Sequence, residues 1–285
     1  MKTFILCILF LTLLTACTSA GQAPAALTTI SGPSEIQVAV AGNDFAVGAF
    51  RLPLVLYAGP ERGAPAQKVS LVALDLSTDP PTQSWEGEAT GYSDYFIPYW
   101  VAYPELTHAG NYGFRTDITL DDGSTTQAQF AIQVSSESSS PSLGSIPPAS
   151  QNRTLATEPD IKKLTSDANP DPALYQLTVA EALKSDRPTV VTFATPGFCT
   201  SQLCAPVLDS VKTVYNSYKN QVNFIHIEVY KTFDPLVYSD EMAEWGLTSE
   251  PWTFVLDQTG ELATKFVGPV SPEELIQSLK PLVNE

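Results

Sequence analysis

Thr189-Val-Val-Thr-Phe-Ala-Thr-Pro-Gly-Phe-Cys-Thr-Ser-Gln-Leu-Cys204 decides the fold of the second half of this chain. Thr189 to Ala194 are apolar and β-branched with no polar alternation, the pattern of a strand buried on both faces. A Cys pair, Cys199 and Cys204, follows at once. Beyond it Val207, Val211, Val214, Tyr215 and Tyr218 fall on one helical stripe. A buried strand that runs into two cysteines and then a helix presents thiols to a partner. The chain has 4 cysteines, and the other two, Cys7 and Cys17, lie at the N-terminus. The redox chemistry therefore points to this one pair.

Working outward, Thr178-Val-Ala-Glu181 has capping-box spacing and opens a short helix through Lys184. Val222 to Val229 reads as a second strand and Ser239 to Trp245 as a short helix. Trp252 to Leu256 and Thr264 to Val267 are two more strands, joined by the turn Asp257-Gln-Thr-Gly260. In Ser271-Pro-Glu-Glu274, Ser271 caps a last helix to Leu282, proline takes its first position, and Glu274 completes a capping box.

This order resembles the thioredoxin fold over residues 160–285, which implies an α/β domain. The specific matches are the Cys pair after the central strand and Ser249-Glu-Pro-Trp-Thr-Phe254 before the hairpin. The resemblance implies that Pro251 takes the place of the fold's cis-proline, against the disulfide. It also implies a substrate-binding set of Pro251, Glu250 and Trp252, with Pro196 and Phe198 on the other side. Thioredoxins carry a buried Asp on the central strand; Thr192 stands there, and a hydroxyl is no base. His226 and Glu228 share one face of the neighbouring strand, either as proton-relay candidates or as satisfied core residues.

The pair implies thiol–disulfide exchange with protein thiols or disulfides. One thiolate attacks a partner's sulfur and the second resolves the mixed disulfide. Cys199 is the expected attacker, because it follows the strand directly. Cys204 competes for that role if Pro206 is the first helical residue. Four residues separate the cysteines, where thioredoxins have two. The segment is also similar to the TPGCTxxxC segment of bacterioferritin-comigratory peroxiredoxins, with Phe198 inserted and no arginine near the pair, which implies a thiol peroxidase as an alternative. A resemblance to Sco-type copper chaperones implies a third reading, with Cys199, Cys204 and His226 as soft ligands. No resident cofactor or metal is expected on the exchange reading. The remaining alternative is an inert disulfide, whose short loop adds little by chain entropy.

The N-terminus sets the compartment. Lys2 and the apolar run Phe4 to Leu14 read as an export signal over residues 1–16. Leu14-Thr-Ala-Cys17 resembles the lipobox of bacterial lipoproteins, which implies a diacylglycerol on Cys17 and a bilayer partner. Residues 17–30 read as a tether. An extracytoplasmic setting lets a disulfide persist. The 285-residue chain has 15 Lys and Arg against 31 Asp and Glu, a formal net charge of -16. That balance argues against nucleic-acid binding.

Residues 31–134 read as all-β. Ile36 to Val40, Val69 to Leu74 and Phe130 to Val134 alternate, and Asp121-Asp-Gly-Ser124 is a hairpin turn. Ala109-Gly-Asn-Tyr112 resembles the tyrosine corner of immunoglobulin-like sandwiches. The aromatic stretch from Tyr92 to Tyr103 is either a binding surface or a core strand with its covering loop. Gly48-Ala-Phe-Arg51 reads as a strand entry with no assignable chemistry. Residues 135–159, rich in Ser and Pro, read as a linker.

Overall fold

The computed structural model describes residues 36–283. The export signal, the tether and Cys17 lie outside the described residues.

The first half is built from β1 (Ile36–Val40), β2 (Leu52–Ala58), β3 (Ala66–Asp75), β4 (Thr82–Glu88), β5 (Thr90–Tyr92), β6 (Tyr99–Ala102), β7 (Gly110–Leu120) and β8 (Thr125–Val134). They form two antiparallel sheets, in the orders β1-β2-β6-β5 and β8-β7-β3-β4. Period-2 alternation turns one face of each sheet inward. Leu52, Leu54 and Leu56 of β2 meet Val69, Leu71 and Ala73 of β3 and Phe114 of β7 in one core. The turn at residues 121–124 closes with Gly123 at φ 82°. The Tyr112 hydroxyl donates to the His108 carbonyl at 3.0 Å and secures the start of β7.

β2 is buried on both faces, because its sheet is covered on the far side by the second half of the chain. Val55, Tyr92, Tyr95, Ile97, Tyr99 and Val101 form a second cluster that takes in Leu203. The aromatic stretch from Tyr92 to Tyr103 is thus largely an internal contact between the two halves. Phe96 and Tyr103 remain exposed.

The second half contains α1 (Ile161–Leu164), α2 (Val179–Ala182), β9 (Thr189–Ala194), α3 (Cys204–Tyr218), β10 (Asn223–Glu228), β11 (Tyr230–Phe233), β12 (Leu236–Tyr238), α4 (Asp240–Glu244), β13 (Trp252–Leu256), β14 (Leu262–Val267) and α5 (Pro272–Leu279). Its main sheet has the order β10-β9-β13-β14. β9 and β10 run parallel, while β13 is antiparallel to both β9 and β14. Val190, Phe224 and Val255 face α3 and α5. Val191, Phe193, Ile225 and Phe254 face the opposite way, toward α2 and Trp245. This three-layer arrangement is the one the thioredoxin resemblance implies, and it explains why β9 carries no polar alternation.

One of the two expected capping boxes differs from the sequence reading. Thr178 and Glu181 form the full capping box, but Ser271 and Glu274 form only half of one. Ser271 accepts from the Glu274 amide at 3.1 Å, whereas the Glu274 carboxylate turns away to Arg51 of the first half. The Ser271 amide donates to the Tyr99 hydroxyl instead, at 2.8 Å. A buried cation is a stronger partner for a carboxylate than a cap amide.

Arg51 holds the two halves together. Its Nε and Nη2 reach Glu274 at 2.7 and 2.8 Å, and its Nη1 and Nη2 donate to the Val267 and Pro269 carbonyls at 3.0 and 2.6 Å. The Tyr99 hydroxyl also donates to Glu274, at 2.7 Å. Burial opposes the guanidinium charge, but the Glu274 carboxylate more than offsets this and holds Arg51 ionised.

The segment 135–159 is irregular, yet it is fastened along its length. Ser138 and Ser140 join Asp44 and Lys265 in one polar cluster. Burial would raise the Asp44 carboxyl, but these serines and Lys265 hold it below the usual range. Gly144 and Ser145 exchange backbone bonds with Leu262 at 2.9 Å each. Trp245 Nε1 donates to Ser150 at 3.0 Å, and Asn152 accepts the Val179 amide at 2.8 Å. Polar side chains and backbone bonds supply most of this fastening, with Leu155 packed on the core of the second half, so no hydrophobic period marks the segment.

Candidate functional site: the Cys199–Cys204 disulfide

Cys199 and Cys204 are joined as a disulfide, with Cα atoms 6.0 Å apart. The local structure follows from the chain on either side. β9 ends at Ala194, and the Phe198 amide turns back to the Thr195 carbonyl at 3.1 Å. Ser166 Oγ accepts the Gly197 amide at 2.9 Å. A side chain at Gly197 would put its Cβ 2.9 Å from the Ser166 Cβ, so only glycine allows this approach. Ser166 is fixed in turn by Glu228, whose Oε2 accepts from its amide and its hydroxyl at 2.8 Å each.

On the other side α3 begins at Cys204, which places Pro206 in the first turn, where its missing N–H costs no helical bond. Leu203 at the cap position offers no side-chain acceptor. The Cys204 amide instead donates to Cys199 Sγ at 3.2 Å, and Ser201 Oγ lies 3.2 Å from the same sulfur. The helix N-terminus is therefore directed at Cys199, where its unpaired amides favour negative charge. Cys199 is half-buried and Cys204 is fully buried at 0% exposure.

The first half of the chain braces this loop. Leu203, 8% exposed, inserts into the cluster of Tyr92, Tyr95 and Tyr99. Arg62 donates to Gln202 Oε1 at 3.2 Å, across the turn where Gln202 adopts φ 63°.

The proposed substrate-binding residues divide into two groups. The Glu250–Pro251 bond is cis, Pro251 is buried, and Glu250 is half-buried beside the sulfurs. Pro196 is half-buried and Phe198 exposed at the rim. Trp252 is corrected to a core residue: it is 1% exposed, stacks on Phe254 at 5.4 Å, and donates to Ser249 Oγ at 3.2 Å. Its position as the first residue of a strand buried on both faces leaves it no access to a substrate.

The relay candidates are engaged elsewhere. His226 Nε2 donates to the Ala194 carbonyl at 3.0 Å, so Nδ1 accepts from the Tyr175 hydroxyl at 2.7 Å. Burial lowers its pKa and keeps it neutral, against the opposing charge of Glu228. Glu228 is occupied with Ser166, so both residues position the loop before Cys199. Thr192 lies within the sheet, with Thr253 Oγ1 3.5 Å away. Neither Thr192 nor His226 supplies a titrating group to the pair.

Glu250 does lie at the pair: its carboxylate and the two sulfurs are all within 4.8 Å of one another. It forms no hydrogen bond or ion pair among the described residues, and burial alone holds its carboxyl above the usual glutamate range.

Sequence reasoning missed the hairpin β11–β12. Phe198 lies 5.3 Å from Phe233 and 6.1 Å from Tyr230, and Tyr230 stacks on Tyr238 at 5.0 Å. Leu236, Val237 and Tyr238 stay exposed and extend an apolar rim from the disulfide. The available signal was the turn dipeptide Asp234-Pro235 between the short aromatic and β-branched runs Tyr230-Lys-Thr-Phe233 and Leu236-Val-Tyr238. A cavity of about 660 Å³ lies elsewhere, lined by Asp44, Arg51, Leu143 and Lys265 among others, and neither cysteine lines it.

No family model matches the chain, and no curated protein matches it. Solved structures resemble parts of it. A thioredoxin-family thiol:disulfide interchange protein from Chlorobium tepidum TLS is 19% identical, over 41% of this chain and 99% of that one, with a TM-score of 0.31. A DsbF homologue from Corynebacterium diphtheriae is 20% identical over 35% of this chain and 75% of that one, with a TM-score of 0.29. CopC from Methylosinus trichosporium OB3b is 16% identical over 36% of this chain and 94% of that one, with a TM-score of 0.27.

Proposed function

We propose that this protein is a thiol–disulfide oxidoreductase acting through Cys199 and Cys204. One observation carries the reading: a half-buried Cys199 sulfur accepts the first amide of α3 while its bonded partner Cys204 is buried. A substrate can reach the first sulfur and not the second. The helix N-terminus stabilises a thiolate on Cys199, which makes Cys199 the attacking and the leaving sulfur toward substrates. Pro251, Pro196 and Phe198 border the approach to it, with the apolar rim of β11–β12 beyond.

The alternatives gain less support. The copper reading needs His226 as a ligand, and both of its ring nitrogens are engaged. The peroxidase reading needs a cation on the peroxide oxygen, and Cys199 Sγ has an amide and a hydroxyl as its neighbours. The β-rich first half, read as an immunoglobulin-like sandwich, braces the loop through Leu203 and Gln202. The lipobox reading places the site outside the cytoplasm, tethered to a bilayer through acylated Cys17.

The test is turnover. The purified protein, supplied with excess dithiol, is expected to accelerate reduction of a disulfide-bonded polypeptide at catalytic amounts. The same preparation is expected to consume hydrogen peroxide no faster than the dithiol does alone. Rapid peroxide consumption without polypeptide reduction would replace exchange by the peroxidase reading.

A further inference from the structure

We infer that Glu250 is the proton donor and acceptor for Cys204 during exchange. This rests on the exchange reading above and assigns the proton transfer for which the central strand supplies no acid. Cys204 is fully buried at the start of α3, so its sulfur does not contact bulk solvent directly. The Glu250 carboxylate is within 4.8 Å of both sulfurs, a gap closed by one water or a small side-chain rotation. Thr192, on the strand where thioredoxins place an acid, offers only a hydroxyl.

A half-buried carboxylate with no partner is costly to keep unless it is used. Glu181 reaches its cap amide, Glu228 reaches Ser166 and Glu274 reaches Arg51. Among the described residues Glu250 has no such partner, and its carboxylate lies within 4.8 Å of the two sulfurs. The Glu250–Pro251 bond is cis, and Ser249 before it is tied to Asn43 at 3.0 Å and to Trp252. The two Ser249 hydrogen bonds fasten the chain immediately before Glu250.

The reaction balances as follows. A partner thiolate attacks Cys199 Sγ, the Cys199–Cys204 bond breaks, and its electron pair leaves on Cys204 Sγ. The Glu250 carboxylic acid transfers its proton to that sulfur. A second partner thiolate then attacks the partner's own sulfur, which releases the partner disulfide and the Cys199 thiolate. Two electrons have passed from the partner dithiol to the pair. In the opposite direction the Glu250 carboxylate takes the Cys204 proton as that sulfur attacks Cys199 and displaces the substrate thiolate.

The titrating groups facing Glu250 are the two cysteines and Tyr230. The Tyr230 phenol is pushed up to about 12 by burial, by its contact with Tyr238 and by the nearby carboxylates, and stays neutral. No basic side chain enters the ionisation of Glu250. Burial raises the Glu250 carboxyl above the usual glutamate range, which favours the protonated form that donates to Cys204.

The experiment follows reduction of the oxidised full-length protein by a small dithiol across pH, for wild type, Glu250→Gln and Glu250→Asp. Glu250→Gln is expected to be slower by about 100-fold and to lose the limb of the pH profile that belongs to the carboxyl. Glu250→Asp is expected to restore part of the rate, with that limb displaced. In the reduced protein, ultraviolet thiolate absorbance is expected to show Cys204 ionising at lower pH in Glu250→Gln, because a neighbouring negative charge is gone. Equal rates and pH profiles for wild type and Glu250→Gln would overturn the assignment while leaving exchange intact. A wild-type disulfide that the dithiol does not reduce would overturn the exchange reading itself.

Discussion

Cys204→Ser is expected to accumulate a stable mixed disulfide with substrate through Cys199, and Cys199→Ser to form none. Both variants are expected to lose turnover. The asymmetry follows from burial and from the direction of α3. Cys199 alone is accessible, and it alone receives the helix amide that stabilises a thiolate. Without Cys204 the substrate-bound Cys199 has no resolving thiol, so the covalent complex persists. Denaturing gels without reductant and intact mass measurements give the answer directly. A mixed disulfide that forms through Cys204 in the Cys199→Ser variant would reverse the assignment. Both single variants retaining turnover would remove the pair from the function.

The second large effect is on stability. Arg51→Met is expected to destabilise the protein by about 3–5 kcal/mol, because it leaves the Glu274 carboxylate buried without its cation. The side chains of Arg51 and Glu274 are 7% and 3% exposed, so water cannot take over. The Val267 and Pro269 carbonyls and the Tyr99 ring, 5.8 Å from the guanidinium carbon, lose the same partner. Exchanging both charges for apolar groups, Arg51→Met with Glu274→Leu, is expected to recover much of the loss, since neither charge is then stranded. Urea unfolding followed by both fluorescence and exchange activity reads the shift. Because the pair joins the two halves, the Arg51→Met protein is expected to show separated transitions by the two probes. A midpoint unchanged from wild type would mean that the other contacts between the halves, Leu203 in the tyrosine cluster and Lys265 with Asp44 among them, hold the interface without Arg51.

What the sequence made legible depends on how far apart the interacting residues are. β9 and its Cys pair could be read because burial on both faces writes a continuous apolar run. The helical stripe from Val207 and the Thr178 capping box could be read for the same local reason. Arg51 could not: its partner lies 223 residues away, and nothing in Gly48-Ala-Phe-Arg51 differs from an ordinary strand entry. The same distance explains Glu274, whose spacing from Ser271 is correct for a box that tertiary contact overrides.

The aromatic stretch from Tyr92 to Tyr103 showed only its richness. Its main use, covering the loop that carries the cysteines, needed both halves of the chain in place. At the site, the spacing of Cys199 and Cys204 is informative, whereas the hydrogen bonds of the relay candidates His226 and Glu228 come from distant parts of the chain. His226 and Glu228 do share a face, yet the backbone of Ala194 and the Ser166 hydroxyl already use them. Glu250 was placed at the site as a substrate contact. That it has no hydrogen-bond or ion-pair partner among the described residues, the observation behind the proposed proton transfer, is visible only in three dimensions.

The most direct test of the exchange account is a redox titration of a soluble form, with the thiol count read from mass shifts after alkylation. A reversible two-electron transition of the Cys199–Cys204 pair above about -300 mV is the predicted result, the range of catalytic and labile disulfides. A pair that stays oxidised well below that potential would contradict the account and make the disulfide a structural one.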